Sequence, residues 1–314
     1  MAKPSSTSVS VTHSFGGSWT QAKLVVLQRY LEAYTKALKD KPTADQPFRK
    51  AYIDAFAGTG SRAAREPSGP GEAGGTLLFP ELAEDAPQAL LEGSAKLALQ
   101  VDPRFDKYIF IEQSPERCMQ LQGLKDEFPA LANDIDIRQG EANDLIQKLC
   151  ASPEQWKSRR AVLFLDPYGM QVEWKTIEAV AATKAIDLWV LVPLGMGLNR
   201  LAPKSGNVPD SWRKRMDAFL GTDDWYDAFY RAETVPTLFG DYHSQVKASM
   251  IEMARYFNGR LSRVFAGVAE KPGVLYNSKN SPLYLLCFAV GNERGKDIAL
   301  RIASHLLKSL EGAR

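Results

Sequence analysis

The chain has 314 residues, 45% of them hydrophobic and 24% charged, so it is long enough to bury a substantial core as one large domain with insertions or as two small ones. A net charge of only +2 excludes the global electrostatic footprint of a dedicated nucleic-acid binder, and any contact with a polyanion has to be local. Three scattered cysteines, Cys118, Cys150 and Cys287, show no CxxC or Cys/His pairing and argue against a zinc site or a disulfide framework.

The opening MAKPSSTSVSVTHSF lacks the apolar core of a secretory signal, and no apolar run approaches the roughly 18 to 20 residues of a membrane span, so a cytoplasmic protein is expected. Residues 1–17 read as a loosely held arm and 18–314 as a single domain. From Trp19, the apolar positions Leu24, Leu27, Leu31, Tyr34 and Leu38 alternate in steps of three and four. That spacing predicts a helix packed on the domain, with Lys23, Arg29, Glu32 and Lys36 off its apolar stripe.

Apolar runs of strand length follow at Ala51–Phe56, Lys107–Glu112, Ile135–Ile137, Ala161–Asp166 and Ile186–Val192. Helix-like segments lie between them at Ala89–Val101, Pro115–Phe128, Glu141–Cys150 and Trp174–Thr183. Alternation of this kind predicts an α/β fold whose parallel sheet is covered on both faces. Val264–Ala269 and Pro282–Val290 add a late strand pair, with a turn at Asn277 and Asn280 and a last helix over Lys296–Leu310. Two insertions, about 62–87 and 195–242, leave the carboxyl ends of strands, where open α/β sheets bind ligands.

The first strand runs into a glycine turn, YIDAFAGTG, in which Gly58 and Gly60 permit close approach of a ligand to the backbone. Asp54 and Phe56 precede those glycines, Glu112 and Gln113 end the second strand, and Glu141 and Asn143 follow the third. Together they form a candidate nucleoside cleft: Asp54 faces the amino-acid end of a cofactor, Glu112 accepts the ribose hydroxyl protons, and Asn143 lies at the height of an adenine edge. A nicotinamide dinucleotide stays open as an alternative, because Gly58, Gly60 and Ala63 also satisfy GxGxxG/A and Glu81 follows at a workable distance. Against it, Pro67, Pro70 and many glycines prevent a long helix directly after the turn.

FAGTG, then an acid ending the next strand, then LFLDPYG, resembles the class I S-adenosylmethionine-dependent methyltransferases. The blocks FGGSWTQAKLVVLQRYLEAYTKAL, YIDAFAGTGSR, DKYIFIEQSPER, FLDPYG and NSPLYLLCFAVGNERG further resemble a bacterial family, the three-Cys-motif partner proteins (TcmP). The resemblance implies a Rossmann-like, mostly parallel seven-stranded sheet, S-adenosylmethionine as cofactor, and a separate protein partner that carries the three cysteines. DPYG also resembles the (D/N)PPY loop of enzymes that methylate exocyclic amines of nucleobases. Carried over, Asp166 would orient the amine, Pro167 would offer its carbonyl and Tyr168 would stack on the base, although one proline stands here in place of two. Asp166 also fits a plain turn-capping role. No metal is needed for this chemistry.

Arg200, Lys204, Arg213, Lys214 and Arg215 beside Trp212 would suit single-stranded nucleic acid. A solvated helix face is the simpler reading. His13, His243 and His305 stand alone and are expected on the surface or in packing. The alternative to an enzyme is an accessory protein that uses the same scaffold to hold its partner.

Overall fold

The computed structural model describes residues 18–40, 43, 48–55, 86–167, 169–237, 240–277 and 279–310, without the side chains of 86–92, 235–237 and 240–244. Five parallel strands form the centre: β1 Arg49–Ala55, β2 Lys107–Glu112, β3 Ile135–Gln139, β4 Arg159–Leu165 and β5 Ile186–Pro193. A long antiparallel strand, β10 Pro282–Val290, pairs with β5, and two short strands, β8 Gly267–Val268 and β9 Gly273–Tyr276, share its far edge. The order is β3-β2-β1-β4-β5-β10, with β8 and β9 splitting the seventh place. This is the Rossmann-like, mostly parallel arrangement that the class I methyltransferase resemblance implied, with β10 as its reversed strand.

Helices cover both faces. Against one lie α1 Ser18–Ala37, α2 Ala86–Leu99, α3 Pro115–Glu127 and α10 Lys296–Lys308, packed on Tyr52, Phe110, Phe164 and Trp189. Against the other lie α4 Ala142–Cys150, α5 Pro153–Lys157, α6 Trp174–Ala182, α7 Asp210–Leu220, α8 Trp225–Phe229 and α9 Met250–Ser262, packed on Ile53, Ile111, Leu163 and Val190. The two faces divide the strands by odd and even positions, as the pleat requires. Double coverage is why β5, IDLWVLVP, is buried at every position and reads as a nearly continuous apolar run.

Helix α1 departs from its expected orientation. Its buried arc is Thr20, Lys23, Val26, Leu27, Tyr30, Leu31 and Thr35, rotated so that Lys23 lies inside and Val25 outside. Burial of Val26, Leu27, Tyr30 and Leu31 contributes roughly 1.5 to 3 kcal/mol per side chain. The Tyr30 hydroxyl donates to Asp187 on β5 at 2.8 Å, fixing the helix over the sheet. Burial pushes the Asp187 carboxyl up to about 6.

The second insertion is built of regular elements. After β5 comes one π-helical turn, Leu194–Asn199, then α7, α8 and a two-stranded ribbon of β6 Tyr230–Thr237 and β7 Gly240–Lys247. The ribbon and α9 were not expected from the sequence. Most of the first insertion lies outside the described residues. At the predicted turn, Asn277 Oδ1 accepts from the backbone N–H groups of Lys279 and Ser281 at 3.0 and 2.8 Å. No helix among the described residues is long and apolar enough to cross a membrane.

Gly221 ends α7 with φ +69°, and a Cβ built there would sit 2.1 Å from the buried Trp174 ring. Gly221→Ala is therefore expected to cost about 2 to 4 kcal/mol, from left-handed strain plus forced displacement of the indole. Denaturant unfolding checks this, and an unchanged midpoint would refute it.

Candidate active site at the carboxyl rim of the sheet

Register brings the predicted carboxylates to one face. Asp54 on β1 is level with Phe110 on β2 and Phe164 on β4, so Glu112 and Asp166, each two residues further on, share its side of the sheet. That is the face covered by α1 and α2. The Asp166 N–H donates to the Ala55 carbonyl at 3.4 Å, which continues the β1–β4 ladder to the rim.

Two of these carboxyl groups have a buried oxygen without a hydrogen-bond partner among the described residues. Glu112 is 2% exposed; its Oε1 accepts from the Ser114 N–H at 2.7 Å, and its Oε2 has no such partner. Burial raises the Glu112 carboxyl above the usual range, against the pull of the Ser114 N–H, Arg117 and the Gln113 N–H. Asp54 is 1% exposed; its Oδ2 accepts from the Tyr52 hydroxyl at 3.0 Å, while Oδ1 lacks a partner. Burial pushes Asp54 up to about 7, opposed by side-chain hydrogen bonds from Ser94 and Tyr52, with the neighbouring Asp166 raising it and Lys23 lowering it. A buried carboxylate oxygen without a donor costs on the order of 1 to 3 kcal/mol, so two of them at a strand rim mark a place where donors from a ligand fit.

Because Asp54 holds its proton more tightly folded than unfolded, its contribution to stability is fully present below the ordinary carboxylate pKa. It falls away as pH rises to about 7. Asp54→Asn is expected to flatten that part of the profile. A wild-type profile that shows no decline there would contradict the assignment.

Asp166 is not free in this arrangement. The Lys23 ammonium from α1 forms an ion pair with Asp166 Oδ2, and their side chains are 0% and 16% exposed. Sequence reasoning placed Lys23 outside the apolar stripe and missed this contact, which spans 143 positions. The available signal was the arc Thr20, Lys23, Leu27 and Tyr30, which keeps helical spacing and contains both polar residues. Pro167 is buried.

Asn143 is committed elsewhere. Its Nδ2 donates to Glu141 Oε1 and the Gln171 carbonyl, both at 2.9 Å, and its Oδ1 accepts from the Glu173 N–H and the Thr176 hydroxyl at 2.9 and 2.8 Å. All four hydrogen-bonding positions of the amide are used, one on the α4 cap and three to tie α4 to α6 and the segment before it, so the side chain has none left for an adenine edge. Glu141 caps α4 by accepting from the Asp144 N–H at 2.9 Å. Gln113 is exposed beside Glu112. Phe56, Gly58, Gly60 and Tyr168 lie outside the described residues.

Of the basic cluster, Lys214 and Arg215 are exposed, whereas Arg213 packs over the Tyr226 ring with its guanidinium carbon 4.5 Å from the centroid. The three cysteines are buried thiols, and burial pushes Cys150 up to about 12, far from a reactive thiolate. No group of three or more His, Cys, Asp or Glu among the described residues could hold a metal ion.

No protein-family model matches the chain, and no curated protein matches it. Among solved structures, an S-adenosylmethionine-dependent methyltransferase from Clostridium acetobutylicum ATCC 824 is similar at TM-score 0.33 and 10% identity, covering 85% of this chain and 92% of that one.

Proposed function

We propose that the chain is an S-adenosylmethionine-dependent methyltransferase-like protein that methylates an amine nitrogen, with a nucleobase amine as the acceptor class. The observation that carries this reading is that Asp54 and, two residues further toward the carboxyl rim, Glu112 share one face of the sheet, and each has a buried oxygen without a hydrogen-bond partner among the described residues. S-adenosylmethionine brings the donors that those oxygens lack: ribose hydroxyls for Glu112 and an ammonium for Asp54.

Bound there, the cofactor supplies an electrophilic methyl group, so the chain has only to align the acceptor, exclude water and take up a proton. Glu112 holds the ribose, and Asp54 balances the cationic end. Asp166 has its Oδ2 engaged by Lys23, and its Oδ1 would accept from the N–H of the acceptor amine. Pro167 and Tyr168 would complete the acceptor loop.

Calorimetry with S-adenosylmethionine and with NAD(H) on the wild-type chain tests the reading. Binding of the first supports it; binding of the second alone transfers the site to the dinucleotide alternative; binding of neither removes it. The second reading, a scaffold that holds a three-cysteine-motif partner, is favoured by the occupation of Asp166 by the chain's own lysine. It predicts cofactor binding without turnover unless the partner is present.

A further inference from the structure

We infer that Lys23 of α1 is a positioning residue of this site: it compensates the charge of Asp166 and so leaves Asp54, among the described residues, as a carboxyl group without an ion-pair partner for the cofactor's cationic end. The inference rests on the proposed cofactor reading but is argued from the rim itself.

The ammonium is fully enclosed. It meets Asp166 on one side, and on the other the Trp19 ring, whose centroid is 5.0 Å away and which in turn stacks on Tyr284 at 5.2 Å. A lysine with no exposed surface is rare unless paired, and an aromatic cap excludes the water that would otherwise screen the pair. Asp54, two residues below the level of Asp166 on the neighbouring strand, is an acid on which both Asp166 and Lys23 act. Among the described residues, the groups that act on it are Tyr52 on its own strand, Ser94 on α2, Asp166 just past β4 and Lys23 on α1. Within this set the two acids carry like charge on adjacent strands, and Lys23 is the only cation. A cation fixed on the far acid lets the near one face a sulfonium nucleoside without doubling the negative charge of the pocket. It also makes α1, outside the sheet in sequence, a wall of the site.

The test compares wild type with Lys23→Met, Lys23→Arg and the double variant Lys23→Met/Asp166→Asn. Unfolding stability is followed without ligand from about pH 5 to about pH 9. With Lys23→Met the fall in stability with rising pH is expected to extend about one pH unit higher, because two acids then share the rim without a cation. Lys23→Arg and the double variant, which restore the cation or remove both charges, are expected to follow wild type. Parallel profiles for Lys23→Met and wild type would overturn the inference, since a merely structural role lowers stability equally at every pH. If Lys23→Met does not fold, the double variant decides: folding with a wild-type profile supports charge compensation, and failure to fold overturns it.

Calorimetry with S-adenosylmethionine and the neutral S-adenosylhomocysteine supplies the cofactor arm. Lys23→Met should raise the preference for the cationic ligand by about tenfold, as expected for one charge acting across a partly buried site. The double variant should return it to the wild-type ratio, and an unchanged ratio in Lys23→Met would detach Lys23 from the cofactor. Wild type binding neither ligand would end the methyltransferase reading, while the ligand-free profiles would still decide whether Lys23 compensates Asp166.

Discussion

Glu112→Gln should weaken S-adenosylmethionine binding by about 10- to 100-fold, corresponding to loss of charge-assisted hydrogen bonds worth roughly 1.5 to 3 kcal/mol. Glutamine keeps a carbonyl that can accept from the Ser114 N–H, now received at 2.7 Å, so the start of α3 need not move. In place of Oε2 it offers an amide N–H pair, a donor where the ribose hydroxyls also donate. The ligand-free protein should respond in the opposite direction. Glu112 is almost wholly buried and its carboxyl is raised by desolvation, so the neutral side chain should leave stability unchanged or improve it above neutral pH. Affinity that falls while the unfolding midpoint holds or rises would be the signature of a group kept for a ligand and not for the fold. Equal affinity in both proteins would remove Glu112 from the site.

Asp166→Ala should destabilise the chain by about 3 to 5 kcal/mol, because it leaves the fully buried Lys23 ammonium without a counter-charge. A plain strand-end carboxylate capping an exposed turn would cost about 1 kcal/mol or less on the same change. Denaturant unfolding at constant slope separates the two cases, and a loss below about 1 kcal/mol would show that Lys23 finds another partner or reaches water. The size of this effect also bears on enzymology. Lost turnover in Asp166→Ala would mix catalysis with collapse of the α1 wall, so Asp166→Asn, which keeps an oxygen beside the ammonium, is the cleaner variant for activity.

The sheet was legible because its strands are apolar on both faces and end at polar rims, a pattern that YIFIE and AVLFLD display without ambiguity. β3 was drawn too short at Ile137 because Arg138 and Gln139, at an edge and a rim, look like loop. α9 had a readable start: Ser249 and Glu252 form a reciprocal capping box, with Ser249 Oγ accepting from the Glu252 N–H at 3.3 Å. The β6–β7 ribbon had none, since Pro236 and a mixed polar sequence hide its alternation.

At the site, pleat parity alone placed Asp54, Glu112 and Asp166 on a common face, and strand order put them on neighbouring or next-neighbouring strands. The roles of Asn143 and Lys23 depended on partners roughly 30 and 143 positions away. Spacing within a motif carries no record of such partners.

The split seventh place in the sheet has a bearing on how the chain avoids sticking to itself. On that side the outer border is two residues of β8 and four of β9, interrupted between Val268 and Gly273, so no continuous row of amides is offered to an incoming strand. The opposite border is β3, five residues long, where Asp136 and Arg138 bridge each other at 2.9 Å and put charge on the margin. Short, interrupted or charged margins of this kind disfavour edge-on pairing with another strand, the route by which a wide sheet would propagate into a cross-β stack.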